Sequence, residues 1–277
     1  MLAIALSVAA SIAWGAGDFG GGVLSRRLHV FTVVFFSQLA ALVVSLALLA
    51  ASGESFPSFG ELAPAGLAGI AGIGGLCALF YGLSIGRVSI VAPLTALSVA
   101  VPVLADLFAG NVPSTLQAAG MVVAFLGVVL ASLEPGESER ETPWLAVGMG
   151  LLAALGFGVF FVAMDSAVDA GYFWALTTER FIATLALGVA VLVAGAPRNA
   201  SGDLLKMSAI GLLDMLAVGL FAYAATKGSI GIVALLSALY PVTTVVLAVT
   251  FLHERLHPVQ VAGIAAGLTG VALIAVG

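Results

Sequence analysis

The chain has 277 residues, 62% hydrophobic and 8% charged, with a mean hydropathy of +1.22 and a formal net charge of −5. A water-soluble domain carries about 25% charged residues, which excludes water as the main solvent of this surface. No basic patch serves a nucleic acid, and a lone cysteine, Cys77, excludes an intrachain disulfide and most cysteine metal sites.

A bilayer core needs about 20 apolar residues per helix. Cutting the chain at charges, prolines and glycine clusters predicts an all-α integral membrane protein of ten transmembrane helices. They fall near residues 2–23, 30–51, 64–84, 88–109, 115–133, 144–165, 172–195, 204–226, 230–251 and 258–276. Met1 leads into apolar sequence without a basic n-region, so the first segment reads as a retained span, not a cleaved signal. The one strongly polar linker, Glu134-Pro-Gly-Glu-Ser-Glu-Arg-Glu-Thr-Pro143, lies between spans five and six. It separates a first five-helix unit, 1–133, from a second, 144–277.

The two units share sequence. Tyr81 to Leu97 and Tyr223 to Leu239, offset by 142 residues, agree at 8 of 17 positions. After a one-residue slip the echo continues through Gln117/Gln260, Gly120/Gly263, Gly127/Gly270 and Val128/Val271. Such self-similarity marks a duplicated unit. Because five is odd, the second copy must enter the membrane from the opposite face, giving inverted repeats of the kind that build alternating-access carriers. The loops after the odd-numbered spans carry Arg26, Arg27, Arg87, Arg140, Arg198, Lys206 and Arg255, and the other face carries Lys227 alone. The positive-inside rule therefore puts the Arg-rich face in the cytoplasm and both termini outside.

Trp14-Gly15 in span one, the Tyr81–Leu97 echo and the run Leu239-Tyr240-Pro241 through Phe251-Leu252-His253-Glu254-Arg255-Leu256 carry a family resemblance. With ten spans and a duplication, the chain resembles a ten-helix member of the drug/metabolite transporter superfamily, of the EamA type. The resemblance implies a carrier of small organic molecules, often an exporter, in the bacterial inner membrane. Spans one to four and six to nine would surround a central cavity, with spans five and ten outside it. The first half departs from the pattern: it lacks the Glu-Arg ending and has Asp106-Leu-Phe-Ala-Gly-Asn111 instead.

Ionisable groups inside spans are costly and mark function by default. Asp214 lies about ten residues into span eight among leucines and methionine, where a carboxylate suits proton uptake and release; a structural aspartate bonded to a neighbouring helix is the competing reading. Asp18 follows Trp14 by one turn, so both share a face that could hold an organic cation through charge and cation–π contact; pairing with a nearby arginine is the alternative. Glu179 and Arg180 sit about two turns into span seven, matched in span two by Ser37 and Gln38. Arg180 would neutralise Glu179 or Asp214, or hold a substrate carboxylate. Candidate substrate contacts are thus Trp14, Asp18, Gln38, Phe157, Glu179, Arg180, Asp214 and Tyr240, with Asp214 and Glu179 as proton-coupling groups. Pro93, Pro102 and Pro241 are candidate hinges, because proline removes a helix N–H.

These features lead to a secondary transporter for amines, amino acids or related cationic and zwitterionic compounds, coupled to H⁺ or driven by the substrate gradient. No Walker-type sequence, cofactor motif or enzyme active site is expected. Two other classes compete. One is a non-transporting scaffold or heteromer subunit, with Gly82/Gly86 and Gly263/Gly267 as partner-facing contacts. The other is a metalloprotease built on the H-E-x-x-H match at His253 and His257, which lacks a third ligand and a water-filled cleft. The expected partners are the bilayer, a small-molecule substrate and H⁺ as coupling ion, in a monomer or homodimer.

Overall fold

A computed structural model describes residues 1–25, 27–85, 91, 94–131, 133, 143–194, 202–252 and 257–277. Pro93, most of the polar linker, and Arg26, Arg87, Arg140, Arg198, His253, Glu254 and Arg255 lie outside them. The described residues form α-helices and two short 3₁₀ segments, with no strand. In lipid each backbone group must be satisfied within its own segment, which helices achieve.

In chain order the helices are α1 (Leu2–Ser25), α2 (Val30–Ser52), α3 (Ala63–Ile85), α4 (Ala100–Phe108), α5 (Thr115–Ala131) and α6 (Trp144–Ala167). Then come α7 (Tyr172–Ala194), α8 (Leu204–Ala225), α9 (Ile230–Ser237), α10 (Tyr240–Leu252) and α11 (Pro258–Val276). Gly53, at φ 71°, ends α2 in the left-handed conformation that a side chain would disfavour. Pro258 opens α11, where His257 and Gln260 form a reciprocal cap on the first turn.

Among the described residues, seven helical segments are long and apolar enough to cross a membrane, and three shorter apolar helices cover Ala63–Leu79, Ala96–Phe108 and Thr115–Ala131. At 17 residues, α5 extends only about 26 Å, short of a bilayer core of about 30 Å. The exterior is apolar: Leu155, Leu185, Leu192, Leu216 and Leu268 are exposed, while Glu179 and Arg180 are buried. That arrangement suits lipid as the surrounding medium.

The expected fourth and ninth spans are both interrupted. The 3₁₀ turn Ala96–Val99 precedes α4, and a turn at Ala238 and Leu239 separates α9 from α10. These are the paired positions Ala96-Leu97 and Ala238-Leu239 of the sequence echo. Pro102 lies fully buried in the first turn of α4, and Pro241 falls in the first turn of α10. A missing N–H costs a helix nothing there, so both prolines sit where the chain restarts.

Helix packing follows an exchange rule. α1 packs on α8 and α6 on α3; α2 packs on α8 and α7 on α3; α1 also meets α9 and α10, as α6 meets the 96–99 turn and α4. α2 pairs with α7, α4 with α9, and α5 with α11. Glycines set the closest crossings. A Cβ on Gly15 would lie 2.6 Å from the Tyr240 carbonyl oxygen, and one on Gly158 would lie 2.7 Å from that of Ser98. Likewise an added Cβ on Gly69 would strike the Glu179 carbonyl, and one on Gly211 that of Ser37. Gly263 and Gly267 are occupied within the chain: Gly263 abuts Ala131, and Gly267 abuts Gly127, both on α5.

Candidate functional site

Four helices bring one polar network into this apolar interior. Trp14 on α1 donates its indole N–H to Asp214 Oδ1 on α8 at 2.9 Å. Gln38 on α2 donates from Nε2 to Asp214 Oδ2 at 3.3 Å. Arg180 on α7 donates from Nη1 to Asp214 Oδ2 and to Gln38 Oε1, both at 2.6 Å. Both oxygens of Asp214 are therefore engaged, and Gln38 bridges acid and base. Glu179 Oε2 stands 3.2 Å from Arg180 Nε in an ion pair whose angle makes no hydrogen bond. Arg180 Nη2 and the hydroxyl of Thr184, one turn further on, have no hydrogen-bond partner among the described residues.

Burial divides the network. The Glu179 and Arg180 side chains are 5% and 3% exposed, whereas that of Asp214 is 28% exposed. Arg180 is thus held between two carboxylates, one dry and one at the edge of accessible space. This suits the guanidinium, which is less strongly hydrated than an ammonium and offers several donors.

Asp18 is different. It lies one turn beyond Trp14 on the same face, near Asp214 and Tyr240, closely surrounded by protein and yet keeping accessible surface. Along that face of α1, Ser7 and Ser11 are buried, Trp14 is half-buried, and Asp18 and Gly22 are open. The corresponding face of α6, offset by 143 residues, behaves otherwise: Gly150, Ala154 and Phe161 are buried, and Asp165 is half-buried. This face of α1 is therefore more accessible toward the end near Arg27 than toward Leu2.

The opposite end is plugged by rings. Phe161 and Phe221 have centroids 5.0 Å apart, Trp14 lies 6.2 Å from Phe161 and 6.1 Å from Phe221, and Phe160 adds to both phenylalanines. At the accessible end, Arg27 Nη2 lies 3.8 Å from Asp203 Oδ1, which also accepts from Lys206 Nζ at 2.6 Å. The Lys206 hydrogen bond holds the Asp203 carboxyl below the usual carboxylate range.

Trp14, Gln38, Glu179, Arg180 and Asp214 thus meet in one network, with Asp18 and Tyr240 beside it. Phe157, the counterpart of Trp14, packs instead on Gly75 of α3, and among the described residues no polar or ring contact joins it to the network. Two cavities lie elsewhere. One of about 690 Å³, nearly all apolar, is bounded by α2, α7 and α8; another of about 540 Å³ lies near Lys227, Asn111 and Gln117.

Two carboxylates with structural work were not singled out from the sequence. Buried Asp106 accepts from the Ser229 hydroxyl, the Gly231 N–H and, at 3.2 Å, Asn111 Nδ2, so it caps the start of α9. The departure of the Asp106–Asn111 run from the family pattern was the available signal. Glu54 accepts from the Phe173 and Trp174 N–H groups at the start of α7; no sequence signal marked it. His257 uses Nδ1 to accept from the Val259 N–H, a capping role.

A helical bundle with an apolar exterior, two interrupted helices and a buried charged network defines a polytopic membrane protein of the transporter class. The sequence model of the EamA-like transporter family matches residues 1–133 and again 144–276. The chain belongs to that family, within the drug/metabolite transporter superfamily. A solved crystal structure of a protein 15% identical in sequence superposes with a TM-score of 0.81, covering 99% of this chain and 96% of the other. At that identity the likeness speaks for the fold alone. No curated protein matches in sequence.

Proposed function

We propose that the protein is a secondary transporter that moves a small organic solute by alternating access between two inverted five-helix repeats, 1–133 and 144–277, joined by the linker 134–143. Three observations support the repeats: the family match in two segments, the exchange rule in helix packing, and the matched breaks before α4 and α10. Pro102 and Pro241, together with Pro93, serve as hinges in this reading. α5 and α11 pack through glycines and brace the bundle. Engagement of Gly263 and Gly267 inside the chain weighs against the scaffold reading.

The observation that carries the proposal is a charged network, drawn from both halves, with a cluster of aromatic rings on one side and the accessible Asp18 face of α1 on the other. With the Arg-rich face assigned to the cytoplasm of a bacterial inner-membrane protein, the accessible end of that face lies inward, as in an exporter loading its substrate. Asp18, Glu179 and Asp214 against Arg180 favour cationic or zwitterionic substrates such as amines and amino acids, held among Trp14, Gln38 and Tyr240, while Phe157, packed on Gly75, stands apart. Proton coupling resides in the carboxylates, Asp214 and Glu179 included. The test is flux in proteoliposomes across a panel of amines, quaternary ammonium compounds and amino acids, with and without a pH gradient. Protein that moves none of them refutes the transporter reading. Unaltered, pH-independent flux in Asp214→Asn refutes a proton role for that residue.

A further inference from the structure

The apolar groove bounded by α2, α7 and α8 ends beside a lysine, and we infer that it binds an anionic phospholipid, with one acyl chain in the groove and the phosphate at Lys227. This site stands apart from whatever the bundle carries. The space of about 690 Å³ exists because α7 and α8 scarcely touch, while α2 packs on both and forms the floor with Val44 and Leu48. The walls are Leu176 on α7 and Leu212, Leu216 and Leu220 on α8. Across the gap the Tyr172 hydroxyl donates to the Gly219 carbonyl at 2.8 Å. A Cβ on Gly219 would lie 2.9 Å from that hydroxyl, so a glycine is needed for the tyrosine to reach α8.

Depth and polarity then choose the occupant. From Leu212 to Thr226 the lining rises about 21 Å along α8. Half of a bilayer core is about 15 Å, and Leu212 is level with mid-span Asp214, so the groove runs from the middle of the membrane to the headgroups of one leaflet. Leu48, Leu212, Leu216 and Tyr223 are exposed, which opens it sideways to lipid. Apart from Thr226 and the two tyrosine hydroxyls its side chains are apolar, and no carboxylate lines it. A hydrocarbon chain is what such a space accepts.

The far end supplies the charge. Tyr172 and Tyr223 meet edge to face with centroids 6.3 Å apart, a placement suited to the membrane–water interface. Lys227, one turn after Tyr223, holds its ammonium 5.1 Å from the centre of that ring, at the rim of the groove. It is exposed and is the one cation that the sequence puts on this face. Among the described residues no carboxylate pairs with it: Glu54 is bonded to the start of α7, and Asp169, which follows Val168, lies outside the lining. A lysine in this position attracts a lipid phosphate, whereas a phosphocholine would bring its own cation to the same place.

The experiment is native mass spectrometry of the purified full-length protein, titrated in detergent with palmitoyl-oleoyl phosphatidylglycerol or with the phosphatidylcholine of the same chains. The wild type should bind phosphatidylglycerol about fivefold more tightly, the worth of one lysine at an anionic surface. Lys227→Gln should lose that preference and Lys227→Arg should keep it. Lys206→Gln, on the Arg-rich face, should leave it unchanged. Leu216→Trp, which fills the groove from an exposed position, should weaken both lipids alike, and excess glycerol phosphate, which has no chain, should displace neither. Equal affinity for the two lipids, a preference that survives Lys227→Gln, or displacement by glycerol phosphate would each overturn the inference. So would Leu216→Trp leaving the lipid bound while turning a dimer into a monomer in the same spectra, which would assign the groove to a second copy of the chain.

Discussion

Replacing Arg180 by methionine keeps an unbranched stem as far as the Nε position and removes the guanidinium and its charge. It leaves Glu179, 5% exposed, and Asp214, 28% exposed, without a counter-ion, and it removes the 2.6 Å bonds to Asp214 and Gln38. Deleting one partner of a buried pair costs about 3–5 kcal/mol, because the surviving charge stays desolvated. Glu179 places the loss toward the top of that range and half-wetted Asp214 toward the bottom. At roughly 2–4 °C per kcal/mol for a chain of this size, the midpoint should drop by roughly 6–20 °C. Thermal unfolding in detergent, followed by far-UV circular dichroism, measures it. The triple variant Arg180→Met, Glu179→Gln, Asp214→Asn should recover most of the loss, since a network without charges strands none. A drop of under about 1 kcal/mol in the single variant, or no recovery in the triple, would refute a desolvated ion-pair network.

Three further outcomes follow from particular contacts. Gly263→Val should cost about 1–3 kcal/mol by forcing α11 off the Ala131 backbone, whereas Gly66→Ala and Gly148→Ala, with open space around them, should be neutral or gain up to about 1 kcal/mol; equal melting of all three would contradict the α5–α11 crossing. Asp106→Ala should lose about 1–3 kcal/mol by orphaning the Ser229 hydroxyl and the Gly231 N–H, and an unchanged midpoint would remove it as the α9 cap. In a Cys77→Ala background, a water-soluble maleimide should label Gly22→Cys rapidly and Phe161→Cys slowly, because position 22 is open and position 161 lies in the ring plug; the reverse order would place the accessible end at the plug.

Much of the candidate site was legible in the chain because a charge stands out against lipid-compatible sequence. Asp214, Glu179, Arg180 and Asp18 were each conspicuous among apolar neighbours, and Gln38 was reachable as the counterpart of Arg180. Their pairing was not legible. Asp214 is 200 residues from Trp14 and 34 from Arg180, and nothing local distinguishes Arg180 neutralising Asp214 from Arg180 neutralising Glu179; the fold has it do both. Phe157 illustrates the converse: it corresponds to Trp14 by position, yet it packs on Gly75. Asp106 and Glu54 sit near helix ends, and their capping roles depend on which distant helix begins beside them.

Composition and hydropathy by themselves determined a helical membrane protein, because solvent preference is an average over many residues and tolerates local error. The echo likewise pointed to a duplication, a reading that fits the similar residues at the tight crossings of Gly15 and Gly158. Tertiary structure alone decided which charges meet and which faces of α1 and α6 stay accessible. Asp18 and Phe161 occupy corresponding positions on α1 and α6, yet one lies open and the other is buried in the ring plug. That asymmetry is a property of how the helices lean on one another, and no window along the chain contains it.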